Sequence, residues 1–193
     1  MLCATCSAAI QPRPAVVRTR PLRVAASGEH TGVLRLAIVA WKEEGRTALL
    51  RPLAHLLATS VVEVMEDAAS VVLVPVPTSR RGRMARGADV VDQLAHGAAG
   101  LLRAAGADVV VRQTLRVARR TADQTGLGAR ERARNLHGAF EARTTPHCGR
   151  EIVVVDDIVT TGATIGEAVR ALTVVGHRVR GAATIAHRPR ETR

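Results

Sequence analysis

Apolar residues recur along this chain at two spacings, one typical of helices and the other of buried strands. Helical spacing predicts helices over Leu34 to Lys42, Ala48 to Val64 and Val90 to Leu102. In each segment the apolar residues fall on one side, so each helix is expected to pack that side against a core.

Four short runs rich in valine predict strands, namely Val71 to Val76, Asp108 to Val111, Ile152 to Val155 and Val179 to Ala186. The run from Ile152 to Val155 is apolar on both faces, as expected of a parallel strand that helices cover. Strands that alternate with helices at these spacings predict right-handed crossovers. The sequence therefore predicts an α/β fold built on a parallel sheet flanked by helices.

The amino-terminal stretch shows neither spacing. Pro12, Pro14, Pro21 and Gly28 interrupt it among scattered arginines, and these residue types favour turns and irregular backbone. We expect a poorly ordered arm over residues 1–30, followed by one folded domain over residues 31–193 that begins with a helical segment.

Arginine dominates the charged residues. The chain has 28 Lys and Arg, of which one is lysine, against 17 Asp and Glu, which gives a formal net charge of +11. An arginine-favouring genome explains this total as well as a phosphate ligand does. Position is more informative, because Arg80, Arg81, Arg83 and Arg86 follow the Val71 to Val76 strand with no acidic residue among them. One Phe, one Trp and no Tyr weigh against nucleic-acid binding by aromatic stacking.

Two carboxylates and a threonine-rich turn follow the strand at Ile152 to Val155. Open α/β sheets bind ligands at the carboxyl ends of their strands. Helix-start amides, hydroxyls and a glycine that admits close approach suit a phosphate group. Carboxylates only accept hydrogen bonds, so the acidic pair suits ribose hydroxyls or a magnesium ion carried by the ligand. The candidate binding residues are Asp156, Asp157, Thr160, Thr161, Gly162, Ala163 and Thr164.

A strand end followed by an ordinary helix cap is the simpler interpretation of the same residues. A cap needs one Asp or Thr, whereas this segment supplies two acids and three threonines. We therefore favour a ligand site.

The segment from Val153 to Thr164 resembles the ribose-phosphate loop of type I phosphoribosyltransferases, which has a hydrophobic strand, two acids, two spacers and Thr-Thr/Ala-Gly-x-Thr. Further motifs are similar to those of the ComF family within that superfamily. These are Val74-Pro-Val-Pro77 with its arginine cluster, Arg119 to Leu127, Arg132 to Asn135, and Gly138 to Phe140. The resemblance spans roughly Gly32 to Ala186 and implies a type I phosphoribosyltransferase-like parallel sheet.

The resemblance also implies a role for each motif. The acidic pair would hold the ribose hydroxyls of phosphoribosyl pyrophosphate (PRPP) and meet its magnesium ion, while the threonine turn would hold the 5-phosphate. The residues implied for a pyrophosphate loop are Pro77, Thr78, Ser79 and Arg80. Residues 121–135 would close over the ligand, and the implied catalytic residues are Arg119, Gln124 and Arg132. A solvated helix face explains any single one of these arginines equally well.

Departures from the family patterns bear on the acceptor. Purine-salvage relatives carry an acidic residue where this chain has Thr160, which disfavours an oxopurine acceptor. The sequence Lys42-Glu-Glu-Gly45 replaces a Lys-aromatic-x-Gly pattern, and Arg86-Gly87 is followed by Ala88-Asp89-Val90 instead of an aromatic residue and Asn-Gln.

Three functions are compatible with these features. The first is a magnesium-dependent phosphoribosyltransferase that transfers to an unknown nucleophilic acceptor and releases pyrophosphate. The second is a non-catalytic PRPP or nucleotide sensor. The third is a basic protein of the DNA-uptake machinery, since ComF proteins are associated with competence, and steep salt dependence would distinguish it. A second copy of the chain, in a homodimer, is also considered as a partner. We expect no membrane interaction.

The cysteines indicate the compartment. Cys3 and Cys6 have the spacing of half a zinc site, but a closed site needs four ligands and only Cys148 remains. Because ComF relatives often begin with a zinc-ribbon-like segment, we interpret the pair as a remnant of one, and we expect no bound zinc. Three cysteines without an export signal or a membrane-length apolar run favour the cytoplasm.

Overall fold

The structure is a computed structural model, which describes residues 8, 10–18, 22–68, 70–78, 89–119, 129–144 and 149–189. The strands are β1 (Ala15–Arg18), β2 (Val24–Ala26), β3 (Ser70–Pro75), β4 (Asp108–Val111), β5 (Leu115–Val117), β6 (Phe140–Ala142), β7 (Glu151–Val159) and β8 (Val179–His187). The helices are α1 (Gly32–Lys42), α2 (Leu50–Met65), α3 (Val90–Ala104), α4 (Ala129–Leu136) and α5 (Ala163–Val174), and a 3₁₀ turn (Thr47–Leu49) precedes α2.

The central sheet has six strands in the order β1-β2-β8-β7-β3-β4. β1 and β2 are antiparallel, and every other neighbouring pair in this sheet is parallel. β5 and β6 form a separate antiparallel sheet of two strands. The prediction of a mostly parallel sheet flanked by helices is therefore confirmed.

Helices cover both faces of the central sheet. Side chains alternate between faces along a strand, so Val153 and Val155 of β7 pack with α1, α2 and α3. Ile152 and Val154 pack with α5 on the other face. This double burial explains why the central strands are continuous runs of valine and isoleucine.

The stretch Thr47–Met65, which is the 3₁₀ turn and α2, is long and apolar enough to cross a membrane by length and composition alone, with a mean hydropathy of 1.4. This helix packs against β2, β8 and α3. Its side chains Leu53, Leu57, Val61 and Val64 are buried there. Within the described residues, α2 is accounted for as the central core helix of one face.

The amino-terminal stretch differs from the prediction of an irregular arm. It supplies β1 and β2, and Ala25 and Ala26 of β2 are fully buried beside β8. Strands this short are below the length at which a spacing can be recognised. Gly181 of β8 allows the approach, because a Cβ there would lie 2.8 Å from the carbonyl oxygen of Arg23. Cys3, Cys6 and Cys148 lie outside the described residues.

Candidate functional site

The two predicted binding motifs meet where the chain changes direction across the sheet. From β3 the chain proceeds through α3 to β4 on one side, and from β7 it proceeds through α5 to β8 on the other. The loops after β3 and β7 therefore diverge at the carboxyl edge, which is where open α/β sheets form ligand crevices. Pro77 and Thr78 follow β3, and Asp156 to Thr164 begin within β7, its direct neighbour.

The acidic pair lies inside β7 and not beyond its end. β7 continues to Val159, where it still pairs with His187 of β8, whereas its last pair with β3 is Val155 with Pro75. At the acidic pair, β7 therefore pairs with β8 and no longer with β3. Strand alternation puts Asp156 on the α5 face and Asp157 on the α1 face. The expectation that both emerge together from a strand ending near Val155 is corrected in this respect.

Asp157 is neutralised by a lysine from α1. Its side chain is 8% exposed, and Lys42 Nζ donates a hydrogen bond to its Oδ2. The N–H of Ile158 donates to Oδ1 at 2.8 Å. Burial alone would lower the pKa of Lys42, but the Asp157 carboxylate outweighs burial and raises that pKa. Lys42 therefore stays charged and holds the carboxylate at the crevice.

Asp156 has no such counter-charge at hydrogen-bond distance among the described residues. Its Oδ1 accepts the N–H of Asp157 at 2.9 Å. Burial, followed by the neighbouring Asp157 carboxylate, raises the pKa of Asp156 well above its ordinary value. A hydroxyl donor or a cation at this carboxylate would favour its ionised form.

The donor set fits a magnesium ion carried by a ligand better than a resident metal. The described residues contain no group of three or more His, Cys, Asp or Glu side chains that could hold an ion. Magnesium in phosphate sites keeps several waters and takes one or two carboxylates beside the phosphates. Asp156 and the neighbouring Asp157 supply two such carboxylates, and the ligand would supply the phosphates.

The threonine turn has the geometry of an anion cradle. Gly162 caps α5 with φ of 79°, in the left-handed region that glycine adopts without strain, and no side chain caps the helix. Its carbonyl accepts the N–H of Gly166 at 2.8 Å, and Thr161 Oγ1 accepts the N–H of Ala163 at 3.3 Å. The remaining first-turn amides are those a helix start leaves unpaired.

A cavity of about 320 Å³ lies beside this turn, lined by His137, Thr161, Gly162, Ala163, Gly166, Glu167 and Arg170. Glu167 is buried there and accepts Arg170 Nε at 2.7 Å and the N–H of Phe140 at 3.3 Å. Burial would raise the pKa of Glu167, but the bonds from Arg170 and Phe140 outweigh it and lower that pKa. The pair ties β6 to α5, so it positions the small sheet next to the turn.

In the described part of the loop after β3, Thr78 has both of its donors engaged. The N–H of Thr78 donates to Asp89 Oδ2 at 3.1 Å, and the Thr78 hydroxyl donates to Asp89 Oδ1. Asp89 also caps α3 by accepting the N–H of Asp92 at 3.4 Å. A carboxylate thus occupies donors that the family resemblance assigns to pyrophosphate. Ser79 and Arg80 lie outside the described residues.

Of the implied catalytic residues, the structure describes the side chain of Arg119 alone. Arg119 donates to the carbonyl oxygens of Asn135 at 2.7 Å and His137 at 2.6 Å, so it caps the carboxyl end of α4. Arg132 lies within α4, and Gln124 is outside the described residues. Their catalytic role stays a prediction.

Sequence patterns missed Lys42 and Asp89 as site residues. Lys42 is the only lysine among 28 basic side chains, and this exception in an arginine-rich chain is the signal that could have indicated it. Asp89 belongs to Ala88-Asp89-Val90, the segment that departs from the family pattern, and the sequence assigns it no role. The structure gives it one as the partner of Thr78.

Comparison with curated proteins finds bacterial relatives that share one name. The chain is 33% identical over 153 residues to DNA utilization protein YhgH of Salmonella typhi, which covers 78% of this chain and 65% of the relative. The Escherichia coli O157:H7 protein of that name is 30% identical over the same coverage. The Escherichia coli strain K12 protein is 50% identical over 54 residues, 28% of this chain.

No protein-family model matches the chain. The aligned region spans 65% of the length of the first two relatives, so a third of those proteins has no counterpart in the comparison. Over most of its own length, the chain is similar to the bacterial DNA utilization proteins YhgH.

Proposed function

We propose that this chain is a ComF-like, type I phosphoribosyltransferase-like protein that binds PRPP with magnesium in the crevice between β3 and β7. The observation that supports this most is the sequence of groups along one sheet edge. Asp156, whose carboxylate has no counter-charge at hydrogen-bond distance among the described residues, precedes a helix start capped by a left-handed Gly162. An acceptor of hydroxyl donors thus stands next to a cradle for a phosphate.

Each end of PRPP has residues suited to it in this proposal. Thr160 to Thr164 hold the 5-phosphate through amides and hydroxyls, and Asp156 accepts the ribose hydroxyls. Asp157 keeps β7 in place through Lys42 and adds negative charge for the magnesium ion. When bound, that ion would stabilise the negative charge that develops on the leaving pyrophosphate.

The proposed reaction is displacement at the anomeric carbon. The bond from this carbon to the pyrophosphate oxygen breaks and its electron pair leaves with pyrophosphate. A nitrogen of the acceptor forms the new bond and its proton passes to water. The chain contributes positioning and charge neutralisation. Thr78 must leave Asp89 before its N–H and hydroxyl can bind pyrophosphate.

Calorimetric titration with PRPP and magnesium tests the proposal. We expect saturable binding by the wild-type chain and at least about a 100-fold loss in Asp156→Asn/Asp157→Asn, since two charged hydrogen-bond acceptors are removed. The matched control is Asp67→Asn/Asp108→Asn, which removes the same charge where the strands begin and should bind as wild type. Gly162→Val tests the phosphate cradle and leaves the Lys42–Asp157 pair in place. No binding by a folded wild-type chain would overturn the proposal.

The second candidate is a ligand-binding protein without catalysis that acts in the use of DNA. It is favoured by the name of the relatives, DNA utilization protein, and by the Thr78–Asp89 contact, which occupies the side proposed for pyrophosphate. Pyrophosphate release separates the two candidates. Release above the rate of PRPP hydrolysis with some acceptor supports the enzyme, and PRPP binding without release across a broad acceptor panel supports the second candidate.

A further inference from the structure

Two basic residues stand side by side at the carboxyl edge, on the β8 side of the acidic pair. The N–H of His30 donates to the carbonyl of His187 at 2.8 Å, and Glu29 bridges to His187 in parallel register. Arg188 follows directly, and its N–H donates to the carbonyl of Val159 at 2.9 Å. These backbone contacts hold His30 and Arg188 next to the end of β7.

Helix α1 adds two further cations. Arg35 and Lys42 are seven residues apart, which is two helical turns and about 10 Å along the axis, so both lie on one face. Ile38 lies on that face between them and is 1% exposed. Lys42 reaches Asp157, which turns this face toward the end of β7. We name His30, Arg35, Lys42 and Arg188 the basic cluster.

The donors of the basic cluster are largely unused within the described part of the chain. No ion pair or side-chain hydrogen bond to a described residue engages Arg35 or Arg188. The Nε2 atom of His30 is buried and has no hydrogen-bond partner among the described residues. The Lys42 ammonium carries three N–H donors and gives one to Asp157.

The members of the cluster act on one another electrostatically. Burial first, and then the charges of Arg188 and Arg35, lower the pKa of His30. Gathering like charges around a buried, unpartnered polar atom costs stability. An anion in their midst would remove that cost.

The cluster also stands on a particular side of the proposed reaction centre. The sheet order places β3, with the loop proposed for pyrophosphate, on one side of β7, and places β8 and β2 on the other. A nucleophile approaches the anomeric carbon opposite the leaving group. The acceptor therefore comes from the β8 side, where the basic cluster lies.

We propose that the basic cluster binds an anionic group of the acceptor, a carboxylate or a phosphate. The acceptor is then a nitrogen compound that carries a negative charge, and not a neutral base. This inference rests on the proposed function. The anionic group only binds, and a separate nitrogen forms the bond to the sugar. A small acid suits the cluster better than nucleic acid, because Arg35 and Arg188 lie close enough to His30 to act on it electrostatically, and the chain offers one Phe, one Trp and no Tyr for stacking.

Inorganic phosphate is the probe, titrated by calorimetry with saturating ribose 5-phosphate present to fill the threonine turn. We expect the wild-type chain to bind one phosphate under these conditions, and Arg35→Gln/Arg188→Gln to bind it about tenfold or more weakly, as expected for lost charged hydrogen bonds. The matched control, Arg116→Gln/Arg178→Gln, removes equal charge elsewhere and should stay within twofold. Thermal unfolding establishes that each variant is folded.

A charge-only pair of competitors sharpens the test. Benzoate should displace the inorganic phosphate that binds beside ribose 5-phosphate. Benzamide has the same shape without the charge and should not displace it. Equal phosphate binding in Arg35→Gln/Arg188→Gln and wild type would overturn the inference. So would capture of a 12-nucleotide single strand with steep salt dependence and no phosphate binding, since that result assigns the cluster to nucleic acid.

Failure of this inference is distinguishable from failure of the proposed function. PRPP binding in Arg35→Gln/Arg188→Gln should match wild type, because neither residue lies at the threonine turn or the acidic pair. Normal PRPP binding with phosphate binding insensitive to both arginines removes only the acceptor assignment. Absence of PRPP binding by the folded wild-type chain removes the proposed function itself.

Discussion

The two edges of the central sheet treat charge in opposite ways. Where the strands begin, Arg180 donates to Glu151 at 2.7 Å and contacts Asp67 at 2.9 Å, and Arg23 contacts Glu66 at 2.9 Å. Arg150 likewise contacts Asp108 at 2.6 Å. The carboxyl edge instead holds two adjacent carboxylates and, across from them, the basic cluster.

The difference separates charges that serve the fold from charges kept for a ligand. Each charge named at the amino edge lies within about 3 Å of an opposite charge and needs no further partner. At the carboxyl edge burial raises the pKa of Asp156, and the buried Nε2 of His30 has no hydrogen-bond partner among the described residues. Sites that carry such a cost tend to be those used for binding, because the ligand supplies the missing interactions.

Replacing Lys42 should destabilise the protein most. Lys42→Met leaves Asp157 buried without its counter-charge, and breaking a buried pair costs about 3–5 kcal/mol in the free energy of unfolding. Urea unfolding measures this. Adding Asp157→Asn to Lys42→Met should restore part of the loss, whereas Arg178→Gln, which breaks an exposed pair at the amino edge, should cost about 1 kcal/mol or less. Equal losses in the two single variants would contradict the contrast between the edges.

Glu167→Gln should cost less and should depend on pH. The variant weakens the bonds to Arg170 and the Phe140 N–H, at about 1–3 kcal/mol. The pKa of Glu167 is lowered in the folded protein. Its stabilising effect is therefore full above the unfolded pKa of about 4.3 and is lost as pH falls through the folded pKa. Unfolding curves of the variant and the wild type should differ at neutral pH and should coincide at acidic pH. Glu141→Gln changes an exposed glutamate and serves as the control, and its free energy of unfolding at neutral pH should differ less from that of the wild type.

Asp156→Asn should have the smallest effect and the opposite sign. The pKa of Asp156 is raised in the folded protein, so its contribution to stability is full below the unfolded pKa and is lost as pH rises through the folded pKa. Asparagine avoids this loss and should stabilise the protein by about 1 kcal/mol at neutral pH. The gain in melting temperature should vanish at low pH, and Asp108→Asn should give none. A neutral-pH loss in Asp156→Asn would mean that the carboxylate is not a strained group.

Local patterns predicted most of the central elements. β7 follows from a valine run, and the helix start expected at the threonine turn is that of α5, whose Ile165, Ala168 and Leu172 are buried. β1 and β2 were not predicted, because strands of three or four residues carry no recognisable alternation. Their place in the sheet depends on Gly181, which admits close approach of the chain at Arg23.

The candidate site follows from residue type, but its pairing does not. Asp156, Asp157 and the threonine turn were found because their chemistry stands in one continuous segment. The Lys42–Asp157 pair joins residues separated by 115 positions, and the Thr78–Asp89 bond consumes a donor that the family resemblance assigns to the ligand. A pattern of residue types contains no information about which donors are already occupied.

By itself, the sequence determined the helices, the central strands and the segment that carries acids and threonines, because backbone periodicity and turn chemistry are local properties. Only the tertiary structure decided which strand lies beside which, and hence that Lys42 neutralises Asp157 while Arg35 and Arg188 come near His30. That order follows from the burial of both sheet faces against helices far apart in the chain. Charge pairing at either edge is a consequence of that burial, since it brings together residues that no local spacing connects.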